Sequence, residues 1–227
     1  MHFSDMHRLL LFTLAFIMTL VAQESYAAGP ALFNVTERAA TAADPWSRKI
    51  GPLWRHVLES EKKRPGFTAK GEHMHPGDAL VWRNIVAYAP KVSERELLRI
   101  INGSFNQWRP KNDGDTWNTP EYWASPREFF SKRGGDCEDY AIAKYYALRF
   151  LGMDVSRMRI TVVRRKDEKG NWLPELHAVL AVRSGDLWFI LDNNARPKDN
   201  IFPHTQYKGR FVPLYSMNEN GAWIHGE

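Results

Sequence analysis

The stretch 134–140, Gly-Gly-Asp-Cys-Glu-Asp-Tyr, decides how the chain is organised. It contains Cys137, the only cysteine among 227 residues, between carboxylates. Two glycines, a polar residue and then a helix-compatible run that extends to Leu151 are typical of a loop that enters a helix. The pattern predicts that Cys137 lies in the first helical turn. There the positive end of the helix dipole and the unpaired backbone N–H groups stabilise a thiolate.

The carboxylates of Asp136, Glu138 and Asp139 act in the opposite sense, because nearby negative charge disfavours a thiolate. Clustered oxygen donors are the ligands that calcium prefers, so a bound Ca²⁺ would neutralise these groups and fix the loop that carries Cys137. The acidic segment 112–118 lacks the ligand ladder of an EF-hand, but it could add oxygen ligands. The alternative is an ordinary helix start, with Asp136 as the N-cap and the other two as favourable first-turn acids.

The N-terminal residues 1–27 have the pattern of a secretory signal peptide. An apolar run of about 14 residues follows Arg8 and leads to small residues that end at Ala27, which predicts cleavage after Ala27. The run is short for a bilayer span, so we expect no stable membrane insertion after cleavage; an uncleaved anchor is the alternative. We predict a flexible leader over 28–43 and one domain over 44–227.

The order of the predicted elements indicates an α+β fold. Apolar residues at helical spacing, with capping signals, predict helices first, and then the period changes to two. The nucleophile helix is expected to pack on the antiparallel sheet that follows. The predicted helices cover 45–63, 78–88, 93–108, a short segment after Ser125 and 137–151; the strands cover 159–165, 176–182 and 187–192, with an edge strand over 211–215.

A thiol nucleophile needs a base and the base needs an acceptor that orients it, and the hairpin 176–192 offers both. A two-residue turn at 184–185 would place His177 directly opposite Asp192. A turn at 185–186 would place Asp192 opposite Val179, one diagonal step from His177 on the same face. A three-residue loop would separate the two side chains. Both registers with a two-residue turn place His177 and Asp192 on one face of the sheet. They therefore predict a Cys137–His177–Asp192 triad.

Four segments together resemble the bacterial transglutaminase-like cysteine peptidases of the LapG type. The resemblance spans about 44–215, and its most specific part is the Asp-Cys-Glu-Asp core. It implies a papain/transglutaminase-like core, with Cys137 as nucleophile, His177 as general base and acid, and Asp192 as the orienting residue. Asp136, Glu138 and Asp139 stand where the family places calcium ligands. The segments are 122–129, 135–145, 176–180 and 191–193.

The resemblance also implies a biological role. Members of this family are periplasmic, calcium-dependent endopeptidases that cleave a large surface adhesin near its N-terminus and release cells from a biofilm. The periplasmic domain of an inner-membrane receptor for cyclic di-GMP holds the peptidase when that nucleotide is abundant. The signal peptide pattern of residues 1–27 agrees with a periplasmic location.

Two other functions are compatible with the same residues. Transglutaminase-like triads also serve acyl transfer to amines and hydrolysis of amides in cell-wall peptides. A calcium-binding adaptor that kept the fold without catalysis is a candidate from another class. Nucleic-acid binding is disfavoured, because the net charge of +5 is not gathered into a basic stripe or a known module.

Overall fold

The computed structural model describes residues 31–226, so the predicted signal peptide and the first residues of the predicted leader lie outside it. The predicted α+β class is confirmed: helices dominate the first half of the described chain, and an antiparallel sheet dominates the second. None of the helices in this range is long and apolar enough to cross a membrane. The helices are α1 (Pro45–Lys63), α2 (Pro76–Tyr88), α3 (Glu94–Phe105), α4 (Asp113–Trp117), α5 (Pro126–Lys132) and α6 (Cys137–Phe150).

Helices α1, α3 and α5 begin at the predicted capping residues, whereas α2 begins at Pro76, two residues before its predicted start, with His75 as the N-cap. The hydroxyl of Ser93 accepts a hydrogen bond of 3.3 Å from the backbone N–H of Glu96 at the start of α3. At the start of α5 the backbone N–H of Ser125 donates to the Glu128 carboxylate at 2.8 Å, which is the reciprocal bond of a capping box. One turn of helix, α4, lies inside the polar segment that the sequence predicts to be a loop, because the Asn112 side chain caps it by accepting from the Asp115 N–H.

Within residues 31–226, seven strands form one sheet in the order β1-β7-β6-β2-β3-β4-β5. The predicted meander of β2, β3 and β4 is confirmed. The prediction of an edge strand over 211–215 is wrong: β6 pairs with both β2 and β7 and lies inside the sheet. The strands are β1 (Glu37–Ala39), β2 (Met158–Lys166), β3 (Trp172–Ser184), β4 (Leu187–Leu191), β5 (Phe202–Pro203), β6 (Phe211–Asn218) and β7 (Gly221–His225).

Part of the predicted flexible leader is ordered by contacts with the sheet. β1 pairs with β7, with Glu37 opposite His225. Leu32 is 1% exposed and belongs to a small apolar cluster on the face of the sheet opposite the helices. The backbone N–H of Phe33 donates to the ring of His204 at 2.6 Å. Leu32 and Phe33 therefore pack on an apolar face of the sheet, and residues 37–39 extend the sheet as an exposed edge strand, so this part of the predicted leader is ordered.

Helix α6 occupies the centre of the molecule. Every residue from Glu138 to Leu148 is buried, and the helix contacts α3 and α5 on one side and β2 and β3 on the other. A helix that is enclosed on all sides holds its N-terminus in a fixed place relative to the sheet. Cys137 occupies that N-terminus, so the fold fixes the thiol against β3.

Candidate active site

Cys137 is the first residue of α6, as the sequence predicts, with Asp136 as the N-cap. The thiol is half-buried. Its Sγ accepts a hydrogen bond of 3.2 Å from the backbone N–H of Ala178 in β3. The sulfur therefore faces a helix N-terminus and a strand N–H, and both favour negative charge on it.

His177 and Asp192 come together through the second of the two predicted registers. Leu180 pairs with Leu191 and Ser184 with Leu187, so the turn is Gly185-Asp186 and the two side chains lie one diagonal step apart on the same face. His177 Nε2 lies 2.8 Å from Asp192 Oδ1. Both residues are buried, with exposed fractions of 3% and 6%.

The electrostatics of this pair favour a charged imidazole. Burial disfavours the imidazolium, but the Asp192 carboxylate and the hydrogen bonds to Asp192 and Cys137 outweigh that effect and raise the pKa of His177 to about 9. Burial likewise opposes the charge on Asp192, but His177 prevails and the pKa of Asp192 is lowered. Because Nε2 is engaged by Asp192, Nδ1 is the ring nitrogen left for Cys137.

A buried lysine supports the segment that carries Asp192. Lys144 is fully buried, two turns after Cys137 on α6. Its Nζ donates to the side-chain oxygens of Asn102 on α3 and of Asn106, the residue that directly follows α3, each at 2.7 Å. The amide of Asn106 in turn donates to the backbone carbonyl of Asp192 at 2.9 Å. Helices α6 and α3 thus hold the carbonyl of Asp192 through a chain of hydrogen bonds.

Sequence reasoning gave no role to this lysine, although a signal was present. The run 140–148 is apolar around the whole helix except at Lys144, and a helix that is apolar on all sides is buried. A charged residue inside such a helix must have buried partners. The positions of Asn102 on another helix and of Asn106 directly after it could not be read from that run.

Three carboxylates converge beside Cys137. Oxygens of Asp113, Asp136 and Glu138 all lie within 4.8 Å of one another. Asp136 and Glu138 are two of the three predicted metal ligands. Asp113 belongs to α4, in the segment 112–118 from which the sequence suggests further ligands. The backbone N–H of Tyr122 donates to Asp113 Oδ2 and fixes the orientation of that carboxylate.

Within the described chain, the three carboxylates have no cationic side chain beside them to balance their charge, and some of their oxygens accept no hydrogen bond. Asp113 Oδ1 and Asp136 Oδ1 are buried without a hydrogen-bond partner in the described chain. Burial and then the neighbouring Asp136 raise the pKa of Asp113 to about 6. Burial, followed by the charges of Cys137 and Asp136, raises the pKa of Glu138 well above its usual range. Hard oxygen donors of this kind, short of positive charge, fit a calcium ion.

Asp139, the third predicted ligand, lies outside this group of three. It is fully buried, and its Oδ1 accepts a hydrogen bond of 2.7 Å from the backbone N–H of Ala124. Its Oδ2 has no partner among the described residues and lies so close to Gly135 that a Cβ there would overlap it. One further step along a helix rotates a side chain by about 100°, which explains why Asp139 points elsewhere than Glu138. Its role as a ligand stays a prediction.

Trp117 and Trp123 each carry an indole N–H in the segment that precedes Cys137, and an indole N–H is a donor of the kind that an oxyanion requires. The indole N–H of Trp123 already donates to Glu121 at 3.2 Å. The indole nitrogen of Trp117 is buried and has no acceptor among the described residues. Its ring stacks on Tyr122 with a centroid distance of 4.5 Å. Of the two side chains, Trp117 therefore retains a donor that the described residues do not use.

Comparison with known proteins places the chain among peptidases. The family described as bacterial transglutaminase-like cysteine proteinase matches residues 83–226. No curated protein matches significantly. Among solved structures, calcium-bound LapG of Legionella pneumophila is 26% identical with a TM-score of 0.54, and the match covers 76% of this chain and 90% of that chain.

Two further structures of Legionella pneumophila LapG are similar to this chain, each at 28% identity. The first has a TM-score of 0.54, and the match covers 74% of this chain and 87% of that chain. The second, EGTA-treated LapG, has a TM-score of 0.55, and the match covers 75% of this chain and 86% of that chain. The family match extends over well more than half of the sequence and contains Cys137, His177 and Asp192. The chain belongs to the bacterial transglutaminase-like cysteine proteinase family.

Proposed function

We propose that this chain is a calcium-dependent cysteine endopeptidase that uses a Cys137–His177–Asp192 triad. One observation carries the proposal: His177 is hydrogen-bonded to Asp192 at 2.8 Å and adjoins the thiol at the N-terminus of the buried helix α6. A nucleophile, a base and an acceptor that orients the base are the parts that acyl transfer requires.

The proposed reaction follows from these positions. In the reactive form the proton of Cys137 is held on His177 as an imidazolium, and the thiolate attacks the carbonyl carbon of a peptide bond. His177 then gives that proton to the leaving amine, and an acyl-enzyme remains on Cys137. In the second half, His177 takes a proton from water, hydroxide attacks the thioester, and the proton returns to the thiol. The Asp192 carboxylate stabilises the imidazolium in both halves.

The oxyanion that forms in each half requires hydrogen-bond donors. The backbone N–H of Cys137 lies in the first turn of α6, where N–H groups have no acceptor within the helix. It is therefore the donor that we propose for the oxyanion. The position of Cys137 at a helix start thus serves both the thiolate and the tetrahedral intermediate.

Calcium is proposed to bind at the carboxylates of Asp113, Asp136 and Glu138, with Asp139 beside them. Support comes from the buried oxygens without partners in the described chain and from the similar LapG, which was solved in a calcium-bound form. When bound, the ion supplies positive charge that neutralises the carboxylates and orders the loop before Cys137. It takes no direct part in the proposed chemistry.

The proposed substrate is a large surface adhesin, cleaved in its N-terminal region in the periplasm so that cells leave a biofilm. The periplasmic domain of an inner-membrane receptor for cyclic di-GMP is proposed to hold the enzyme when the nucleotide is abundant. The motifs that resemble LapG-type peptidases and the signal peptide pattern of residues 1–27 support this assignment.

The test is cleavage of a purified N-terminal adhesin fragment from the same genome by the mature chain. The reaction is run with calcium, with a calcium chelator, and with Cys137→Ala in calcium. We expect discrete products that disappear under both chelation and substitution, while Cys137→Ala still binds calcium. Cleavage by Cys137→Ala would refute the triad. Cleavage that survives chelation would leave Asp136 and Glu138 as helix-capping acids only.

A second measurement separates the peptidase from an adaptor. If Cys137→Ala folds, binds calcium and still restores dispersal in cells that lack the native chain, the effect does not require catalysis. We expect no restoration. Binding of the mature chain to the purified periplasmic domain of the receptor, measured in solution, tests the proposed control separately.

A further inference from the structure

A cleft adjoins the triad on the side of Asp192. Its volume is about 360 Å³, and Asp192 itself forms part of the lining. The ring of Phe211, another lining residue, packs edge-on against His177 at a centroid distance of 6.0 Å. Tyr207 packs on Phe211 at 4.3 Å and continues the wall. His177 itself does not line the cleft, but two of its contacts, Asp192 and Phe211, do.

The lining of this cleft is basic. Besides Asp192, whose charge faces His177, Glu168 is the one acidic side chain that lines it within the described chain. None of the four basic residues forms a salt bridge with an acid of the described chain. The Lys166 ammonium lies over the ring of Trp172 at 4.6 Å, and the Arg196 guanidinium donates to the carbonyl of Ala195 at 2.8 Å. The basic lining residues are Arg165, Lys166, Arg196 and Arg210.

The four cations come from three different parts of the chain. Arg165 and Lys166 are the last two residues of β2. Arg196 lies in the loop between β4 and β5, and Arg210 immediately precedes β6. Arg165 is half-buried, and its Nε is buried without a partner among the described residues. With Asp192 engaged by His177, Glu168 is the one remaining acid against four basic residues in the lining, and the surplus like charges repel one another. Such an arrangement is stabilised when an anion enters the cleft.

The chemistry of peptide cleavage tells which part of a substrate meets this cleft. The leaving amine must lie next to His177, because the imidazole protonates it. The residues that follow the cleaved bond therefore run past His177, away from Cys137. Phe211, which packs against His177, and Tyr207, which packs on Phe211, connect the imidazole with the cleft. The segment C-terminal to the cleaved bond is thus the one that enters the cleft.

We propose, building on the endopeptidase function above, that the cleft lined by Arg165, Arg196 and Arg210 binds acidic side chains of the polypeptide substrate just C-terminal to the cleaved bond. Guanidinium groups pair with carboxylates through two parallel hydrogen bonds. The enzyme therefore selects Asp or Glu within the first few positions of the leaving segment.

The first arm of the test maps specificity. The mature chain is incubated with calcium and a proteome-derived peptide library, and the new termini are identified by mass spectrometry. We expect Asp and Glu to be enriched about tenfold within three positions after the cleaved bond. The enrichment should disappear in Arg196→Gln/Arg210→Gln. It should persist in Arg48→Gln/Arg55→Gln, which removes the same charge from exposed positions on α1.

The second arm measures binding without cleavage. Fluorescein-labelled hexaglutamate and hexaglutamine are titrated with the Cys137→Ala chain in calcium. We expect hexaglutamate to bind at least tenfold more tightly, and the difference to be lost when Arg196→Gln/Arg210→Gln is added but kept with Arg48→Gln/Arg55→Gln. An equal loss in both double variants would overturn the proposal, because it would show attraction by net charge alone.

The two arms separate the failure of the inference from that of the proposed function. Library cleavage without acidic enrichment overturns the cleft and leaves the endopeptidase intact. No cleavage of the library or of the adhesin fragment counts against the endopeptidase, and the binding arm then decides about the cleft. Equal affinity for hexaglutamate and hexaglutamine overturns the cleft in either case.

Discussion

The buried polar groups on the two sides of Cys137 are satisfied in different ways. On the side of the sheet, His177 contacts Asp192, and the carbonyl of Asp192 is held by Asn106, which contacts Lys144. Among the described residues, none of the buried side-chain nitrogen or oxygen atoms in this network lacks a partner. On the side of the loop, Asp113, Asp136 and Asp139 each keep a buried oxygen without one.

The network around His177 and Asp192 is satisfied by protein contacts, whereas the carboxylates of the loop require a cation. An unpaired buried polar group opposes folding by about 1–3 kcal/mol, so three such oxygens are not a neutral feature of the loop. The base and its acceptor are positioned by protein contacts alone. We therefore expect substitutions in the network to change the rate, and substitutions among the carboxylates to change the dependence on calcium.

The largest expected effect comes from breaking the pair in the complete network. Asp192→Asn should lower kcat on the adhesin fragment by about 10³- to 10⁴-fold, since the amide does not stabilise the imidazolium. Calcium affinity, measured by titration calorimetry, should be unchanged. A large loss of calcium affinity in this variant would contradict the separation of the two regions.

A hundredfold effect is expected from the opposite region. Asp113→Asn should weaken calcium binding by about 100-fold, because one charge a few ångström from a divalent ion contributes several kcal/mol even in a polar environment. Saturating calcium should restore the rate. Asp115→Asn is the matched control, since Asp115 lies in the same short helix outside the group of three. Equal affinities in the two variants would place the ion elsewhere.

A tenfold loss of kcat is expected from substitution of Lys144, the buried lysine of the hydrogen-bond network. Lys144→Met should lower kcat by about tenfold and leave KM and calcium affinity unchanged, because Asn106 loses the ammonium that orients it. Two buried amide oxygens left without a donor should also reduce the free energy of unfolding by about 2 kcal/mol or more. Lys49→Met, at an exposed position on α1, is the control. Reduced stability with an unchanged kcat would make Lys144 a purely structural residue.

The smallest effect concerns stability and pH. The pKa of His177 is raised from 6.5 to about 9, so the stability gained from its charge is complete below pH 6.5 and is lost as the pH rises through about 9. Asp192 stays ionised throughout, because its pKa is lowered. With calcium saturating, the difference in melting temperature between the native chain and Asp192→Asn should shrink by several degrees from pH 6.5 to 9.

The control for this pH measurement is Asp186→Asn, which removes a carboxylate from the exposed turn of the same hairpin. Its melting temperature should follow that of the native chain at every pH. A difference between the native chain and Asp192→Asn that stays constant or grows with pH would show that His177 is not charged by its partner.

Short-range regularities made much of the site predictable. Strand alternation and an even turn length are enough to put His177 and Asp192 on one face, and the register of β3 and β4 agrees. Glycines, a polar N-cap and a helix-compatible run fix the place of Cys137 at the start of α6. Each of these inferences uses residues within one element or one turn.

Features that depend on distant partners could not be predicted in the same way. Asp113 joins Asp136 although 22 residues separate them along the chain. β6 has the same alternation as an edge strand, and only its pairing with both β2 and β7 shows that it is interior. Leu32 is buried because it covers apolar residues that other strands provide. The sequence pattern around each of these residues does not indicate which distant residues it contacts.

Trp117 gives the loop an optical property. Its indole ends α4, the helix that begins with Asp113, and it stacks on Tyr122, whose backbone N–H contacts the Asp113 carboxylate. Lys132 lies over the same ring at 4.8 Å. A cation that arrives at Asp113 changes the electric field across this indole, so its emission would report occupancy without any label. Comparison with Trp117→Phe would isolate that signal from the light emitted by the other eight tryptophans.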